Sequence, residues 1–142
     1  MLSSRLQQIV DALPLRPGLR VIEIGPGPGG AAIEVARRIG PDGHVLAVDR
    51  SATAIAQLGR AAADLIESGR LSVCHAAVED FELTADERRY DLAFAVRVGA
   101  LDGRHPELEA RAIQRIRSAL TLEGRLFIDG GSPLREIQLG AS

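Results

Sequence analysis

The sequence predicts an α/β fold: a mostly parallel sheet of about five strands with helices on both faces, in three layers. Three observations carry that prediction. Short β-branched runs alternate with stretches whose apolar residues recur at helical spacing, so successive strands are joined by right-handed crossovers. The 15 glycines and 7 prolines fall as punctuation between these segments, with no linker, repeat or low-complexity tract. The length of 142 residues fits one domain, residues 1–142, with a core that needs no staples.

The elements follow in order. Leu6, Ile9, Val10 and Leu13 share one helical face, opened by the capping-box pair Ser4 and Gln7 and closed by Pro14; residues 1–14 form a leading helix. Arg20 to Ile24 is a strand that runs into Gly25, and Ala32, Val35, Ala36 and Ile39 mark the helix behind it. His44 to Val48 is the second strand, and Ile55, Leu58, Ala62 and Leu65 lie on one face of a helix ending at Gly69. Leu71 to His75, Tyr90 to Val96 and Arg125 to Asp129 are the third, fourth and fifth strands. Pro106 suits a first helical turn, and Ala112, Ile113, Ile116 and Leu120 form the apolar face behind it. The charged segment Glu79 to Arg89 is too short for a full crossover helix and is expected to be stunted or irregular.

Composition excludes several classes. The 17 basic residues are all arginine and face 19 acidic ones, a net charge of −2 that argues against a dedicated nucleic-acid binder. Lysine and asparagine are absent, so neither serves in catalysis. The single Cys74 has no partner for a disulfide or a metal cluster, no His or Cys pair has metal-site spacing, and a reducing, cytoplasmic setting is expected. No leader pattern and no apolar run long enough to span a bilayer is present.

The turn Gly25-Pro26-Gly27-Pro28-Gly29-Gly30 lies between a strand and a helix, where a ligand can approach the backbone and free amides point at an anion. Gly25, Gly27 and Gly30 also satisfy the bare dinucleotide fingerprint, which keeps a nicotinamide-dependent dehydrogenase as a rival. Pro26 and Pro28 each remove an amide proton, which suits an amino-acid headgroup better than a pyrophosphate. Glu23, two residues before Gly25 on a strand buried on both faces, needs donors there: loop amides or a ligand ammonium. Asp49, at the end of the second strand, is placed to accept from two ribose hydroxyls; the competing reading is a helix cap, for which Ser51 is a rival.

With these residues in view, the chain resembles the class I S-adenosylmethionine-dependent methyltransferases. The resemblance rests on Glu23-Ile24-Gly25-Pro26-Gly27-Pro28-Gly29, on Val48-Asp49, on Tyr90-Asp91-Leu92-Ala93-Phe94-Ala95-Val96, and on Leu120 to Ile128, similar to the family's approach to strand five; it covers residues 20–130. It implies a Rossmann-like fold and S-adenosylmethionine as cofactor. The glycine loop would meet the methionine part, Asp49 the ribose, Arg50 the adenine edge, and Val78 and Glu79 the adenine ring. Ala77 stands where the family often has aspartate, so Glu79 and Asp80 compete for that contact. The cofactor-binding set is then Glu23, Gly25, Pro26, Gly27, Gly29, Asp49, Arg50, Val78, Glu79 and Val96.

Methyl transfer is an in-line displacement for which the protein supplies alignment and exclusion of water, with a general base optional. Val96 to His105 should line the acceptor side. His105 is a candidate base, or a cap or surface residue; Arg97 either attracts an anionic acceptor or pairs with Asp102. His75 has a weaker claim and His44 is structural. Arg104, Arg111 and Arg115 suggest a basic stripe, but Glu107 and Glu109 interrupt it and a solvated helix face is expected. The expected activity is methyl transfer to a small-molecule acceptor, with nucleic acid and membrane set aside. The alternative is a catalytically silent module that binds S-adenosylmethionine or S-adenosylhomocysteine.

Only 13 residues follow Asp129, whereas the family's sheet continues through a helix and two more strands. The chain is therefore expected to lack those last two strands, with 131–142 a short tail forming at most one short element. Strand five would then be an exposed edge, covered by a homodimer or a partner chain.

Overall fold

The computed structural model describes residues 2–27 and 30–140. β1 (Arg20–Ile24), β2 (His44–Asp49), β3 (Leu71–His75), β4 (Tyr90–Ala95), β5 (Leu120–Asp129) and β6 (Leu134–Ile137) form one sheet in the order β3-β2-β1-β4-β5-β6. The first five strands run parallel and β6 is antiparallel to β5. The order reverses between β1 and its two neighbours, β2 and β4, so the carboxyl ends of these three strands open a crevice at the switch point.

Alternation along each strand divides the core between two faces. Ile22, Ile24, Leu46, Val48, Leu126 and Ile128 meet Ala112 and Ile116 of α5 (Pro106–Ala119), together with Val78 in a short 3-10 turn, Val78–Asp80. Val21, Val45, Ala47, Phe94 and Phe127 meet Val10 of α1 (Ser4–Ala12) and Val35, Ala36 and Ile39 of α2 (Ala32–Ile39). Each of the valines, leucines, isoleucines and phenylalanines among them contributes about 1.5–3 kcal/mol through burial. The second crossover is broken at Ala62 into α3 (Ala52–Ala61) and α4 (Ala63–Glu67), so the single helix expected up to Gly69 is two short ones. The 3-10 turn is the stunted crossover element expected after strand three.

Several boundaries move, each for a local reason. The leading helix is capped by Ser3, not Ser4: the Ser3 hydroxyl accepts from the Leu6 amide at 3.2 Å. β5 begins at Leu120, directly after α5, and absorbs the extra residues through a register shift opposite Tyr90 and Leu92.

The larger correction concerns the edge of the sheet. The tail turns back at residues 130–133 and Leu134–Ile137 pairs with Leu126–Asp129, so β5 is an interior strand. Over Leu126–Asp129 that edge of β5 is covered by the chain itself, which removes the reason for expecting a homodimer or a covering partner. Among the described residues no helix is long and apolar enough to cross a membrane.

Candidate functional site

The crevice at the switch point is a cleft of about 280 Å³. Its floor and one wall come from Ile24, Gly25, Val48, Asp49 and Arg50 at the ends of β1 and β2, and from Ala76, Val78 and Glu79 after β3. The other wall is Arg97 to Ala100 after β4, with Arg104, His105 and Leu108 at the start of α5. Segments 70 residues apart meet here because parallel strands deliver all their carboxyl ends to one edge of the sheet.

Gly25 takes φ +66°, and a β-carbon there would lie 2.9 Å from Val98 Cγ2. Glycine is needed for both the turn and the space at the cleft floor. Gly30 closes the same turn: a β-carbon on it would sit 2.4 Å from Pro26 Cβ and 2.8 Å from the Pro26 Cα and carbonyl oxygen.

Asp49 is 8% exposed, and its two oxygens accept from separate amides, Oδ2 from Gly27 N and Oδ1 from Ser51 N, each at 2.8 Å. The Ser51 hydroxyl, in turn, caps α3 by accepting from Ala54 N at 3.1 Å. Ser51 thus takes the capping job, and Asp49 is left to hold the glycine turn against β2 while its carboxylate faces the cleft.

Glu23 lies outside the cleft lining. It is 2% exposed, and both carboxylate oxygens accept from Ala31 N, at 3.1 and 3.0 Å. Ala31 precedes α2 and offers no side chain to cap it, so the Glu23 carboxylate serves the free amides of that helix instead. Of the two donor sources expected for Glu23, the chain supplies the loop amide. Burial pushes its carboxyl up from 4.5 to about 7, against the opposing pull of the Ala31 and Ala32 amides.

Of the residues singled out for the cofactor, Gly25, Asp49, Arg50, Val78 and Glu79 line the cleft together. Pro26 and Gly27 stand in the turn behind it. Val96 packs with the α1 and α2 layer instead, because strand alternation turns it to the other face. Pro28 and Gly29 lie outside the described residues. Asp80 forms an ion pair with Arg111 at 2.8 Å, which leaves Glu79 as the acid on the cleft wall. Arg115 pairs with Glu82, so α5 directs these two arginines at the loop after β3 and no basic stripe forms.

On the acceptor side, Arg97 does not pair with Asp102. Asp102 instead accepts from Arg104 Nε, with both carboxylate oxygens at 3.0 Å. The His105 ring lies over Gly99, whose β-carbon, if present, would be 2.5 Å from His105 Cδ2; His105 Nδ1 is 3.6 Å from Glu107 Oε2. His75 Nε2 is 3.0 Å from the Arg50 carbonyl oxygen and does not line the cleft. His44 bridges the Gly69 carbonyl and the Ser72 hydroxyl, both at 2.8 Å, at the far edge of the sheet. Cys74 is partly buried against the core, and desolvation raises its thiol pKa. Sequence reasoning missed Asp129, which accepts from the Arg97 amide, and Arg5, which donates to Asp129; no local pattern marks either.

The methyltransferase domain family matches residues 15–138. The ribosomal RNA small subunit methyltransferase H of Nitratidesulfovibrio vulgaris is 37% identical over 87 residues, 61% of this chain and 23% of that protein. The ribosomal RNA large subunit methyltransferase E of Acidithiobacillus ferrooxidans is 29% identical over 128 residues, 89% of this chain and 55% of that protein. This chain therefore spans about half, or less, of these relatives. Among solved structures, the phosphoethanolamine N-methyltransferase 1 of Haemonchus contortus, in complex with phosphoethanolamine and S-adenosylhomocysteine, superposes with a TM-score of 0.70. At 20% identity over 89% of this chain and 25% of that one, the likeness is one of fold.

These relatives overturn the expectation that nucleic acid is not the partner. Net charge averages over the whole surface, whereas a nucleic acid responds to the local field, and the mouth of this cleft carries Arg50, Arg97 and Arg104. The small-molecule acceptor, expected from the charge of −2 and from the scarcity of aromatic residues, is not favoured by these relatives.

Proposed function

The chain belongs to the methyltransferase domain family, whose cofactor is S-adenosylmethionine, and from that premise we propose that it transfers a methyl group to a nucleotide of RNA. The observation that carries this reading is the cleft itself: a half built by β1, β2 and β3, with Asp49, Arg50 and Glu79 among apolar walls, meets a half built after β4 that carries Arg97 and Arg104.

The residues present fit the cofactor. Gly25 leaves floor space that any β-carbon would fill; Asp49 keeps a carboxylate in the cleft suited to two ribose hydroxyls; Val48, Ala76, Val78 and Leu108 offer apolar walls for an adenine, with Glu79 at its edge. Bound there, S-adenosylmethionine supplies an electrophilic methyl on a sulfonium. Arg97, Val98 and Gly99 hold the acceptor in line with that methyl and exclude water from the approach. His105, over Gly99, is the side chain placed to take the proton that a hydroxyl or amino acceptor gives up.

The test pairs calorimetry of S-adenosylhomocysteine binding with transfer of radiolabelled methyl from S-adenosylmethionine to ribosomal RNA. Binding and labelling are both expected. S-adenosylhomocysteine binding without labelling of RNA would overturn the acceptor, and absence of binding would overturn the cofactor site. A structural check is Gly30→Ala: the Pro26 backbone cannot yield to the new β-carbon, so the turn must shift. S-adenosylhomocysteine should bind at least about tenfold more weakly, with a stability loss of about 1–3 kcal/mol in a denaturant titration.

A further inference from the structure

Among the described residues Arg97 is the one non-glycine residue with positive φ, at 56°. A residue with a side chain holds that conformation against a cost of order 1–2 kcal/mol, so the surroundings must impose it. They do so through both backbone groups. The Arg97 amide donates to Asp129 Oδ1 at 3.0 Å, and its carbonyl accepts from Arg104 Nη2 at 2.7 Å. The other Asp129 oxygen accepts from Arg5 Nη2 at 2.8 Å, which ties the leading helix to the end of β5. Arg5 and Arg104 each have a carboxylate partner. The Arg97 guanidinium has none among the described residues; the residue is exposed and stands on the cleft wall opposite Asp49 and Glu79.

An exposed cation on the cleft wall, its backbone clamped and its guanidinium without a carboxylate, is built to meet an anion. Arginine's planar fork suits the two free oxygens of a phosphodiester. We propose that Arg97 contacts a backbone phosphate next to the RNA nucleotide being methylated, and that Asp129, held by Arg5, is the positioning residue that aims it. The proposal rests on the RNA reading of the site. It makes the leading helix, far from the cleft in sequence, part of acceptor recognition.

The test uses the full chain saturated with S-adenosylhomocysteine and a fluorescein-labelled short mixed-sequence single-stranded RNA, read by anisotropy across a salt series. Arg97→Ala and Arg97→Gly should each weaken RNA binding about tenfold and lower the log–log salt slope by about 0.7, one single-strand phosphate contact. S-adenosylhomocysteine affinity, read by calorimetry, should stay within about twofold. Arg97→Gly relieves the backbone, so its thermal midpoint should not fall and its loss of binding cannot be assigned to misfolding. Asp129→Ala should weaken RNA binding in the parent chain and add nothing in the Arg97→Gly background. Asp129→Asn keeps an acceptor for the Arg97 amide but turns an NH2 group toward Arg5, so it should restore only part of the loss.

Weaker S-adenosylhomocysteine binding with RNA binding intact in Arg97→Ala would assign the guanidinium to the cofactor carboxylate and overturn the proposal. An additive effect of Asp129→Ala in the Arg97→Gly background would overturn the positioning role. A parent chain that binds S-adenosylhomocysteine but no RNA would remove the RNA acceptor and this contact together, leaving the cofactor site standing. Failure to bind S-adenosylhomocysteine would remove the reading beneath both.

Discussion

Replacing Asp49 by alanine is expected to weaken S-adenosylhomocysteine binding about a hundredfold or more, the largest single effect at the site. The carboxylate does two jobs at once. Its oxygens hold the Gly27 and Ser51 amides at 2.8 Å, and the cleft side of the same group is where ribose hydroxyls would be met. Each hydrogen bond from a ribose hydroxyl to the charged acceptor is worth about 1.5–3 kcal/mol, so losing two exceeds the roughly 2.7 kcal/mol that a hundredfold change represents, and a turn released from its amide bonds adds to the loss. Asp49→Asn should fail nearly as badly, because its one carbonyl oxygen can serve only one amide and its NH2 group faces the other donor. Calorimetry on the folded variants reads the effect. An alanine variant that melts cooperatively and binds within about threefold of the parent would remove Asp49 from the site.

The second large effect is a pH dependence seated in Glu23. Its folded carboxyl is pushed up to about 7 from 4.5 because burial desolvates the charge more than the Ala31 and Ala32 amides compensate. A raised folded value means that the neutral form is favoured in the native state. The contribution to stability is therefore fully present below about pH 4.5 and is lost as pH rises through 7. Between pH 5 and 8 the unfolded chain gains roughly 2–3 kcal/mol on the native one from this group. Glu23→Gln keeps an acceptor for the Ala31 amide and removes the charge. Denaturant titrations at pH 5 and 8 should show the parent chain losing that amount relative to the variant. Parallel losses in the two proteins would mean that the carboxyl is not the source.

Asp11, Glu34, Asp102 and Glu136 act in the opposite sense, since hydrogen bonds from arginine lower each of their carboxyls and their stabilisation fades only in acid. All four are exposed or partly so, and their screened contributions are small beside that of Glu23.

Much of the molecule was legible as pattern. The two-residue alternation and the helical spacing are local properties, so the parallel strands, the leading helix and the truncated third crossover could be read directly. That Gly25, Asp49 and Glu79 meet at one cleft was legible because each follows or ends a parallel strand, and parallel strands deliver their carboxyl ends to one edge. Helix ends were less so: Ser3 and Ser4 offer the same cap one residue apart, and the backbone geometry chooses between them. Setting nucleic acid aside rested largely on a global quantity, net charge, which does not report the local arrangement of arginines around the cleft.

The sequence by itself determined the order of elements, the crevice at the end of β1 and part of its lining, Gly25, Asp49, Arg50, Val78 and Glu79. The tertiary structure alone decided three things: that the tail closes the sheet as β6, that Glu23 serves α2 from beneath the turn, and that Asp129 and Arg5 reach Arg97 across 32 and 124 residue steps of chain in two successive bonds. The division has a physical cause. Hydrophobic periodicity is written in consecutive residues, whereas a buried or backbone-directed carboxylate finds its donor through space, and no spacing along the chain records which donor the fold will bring to it.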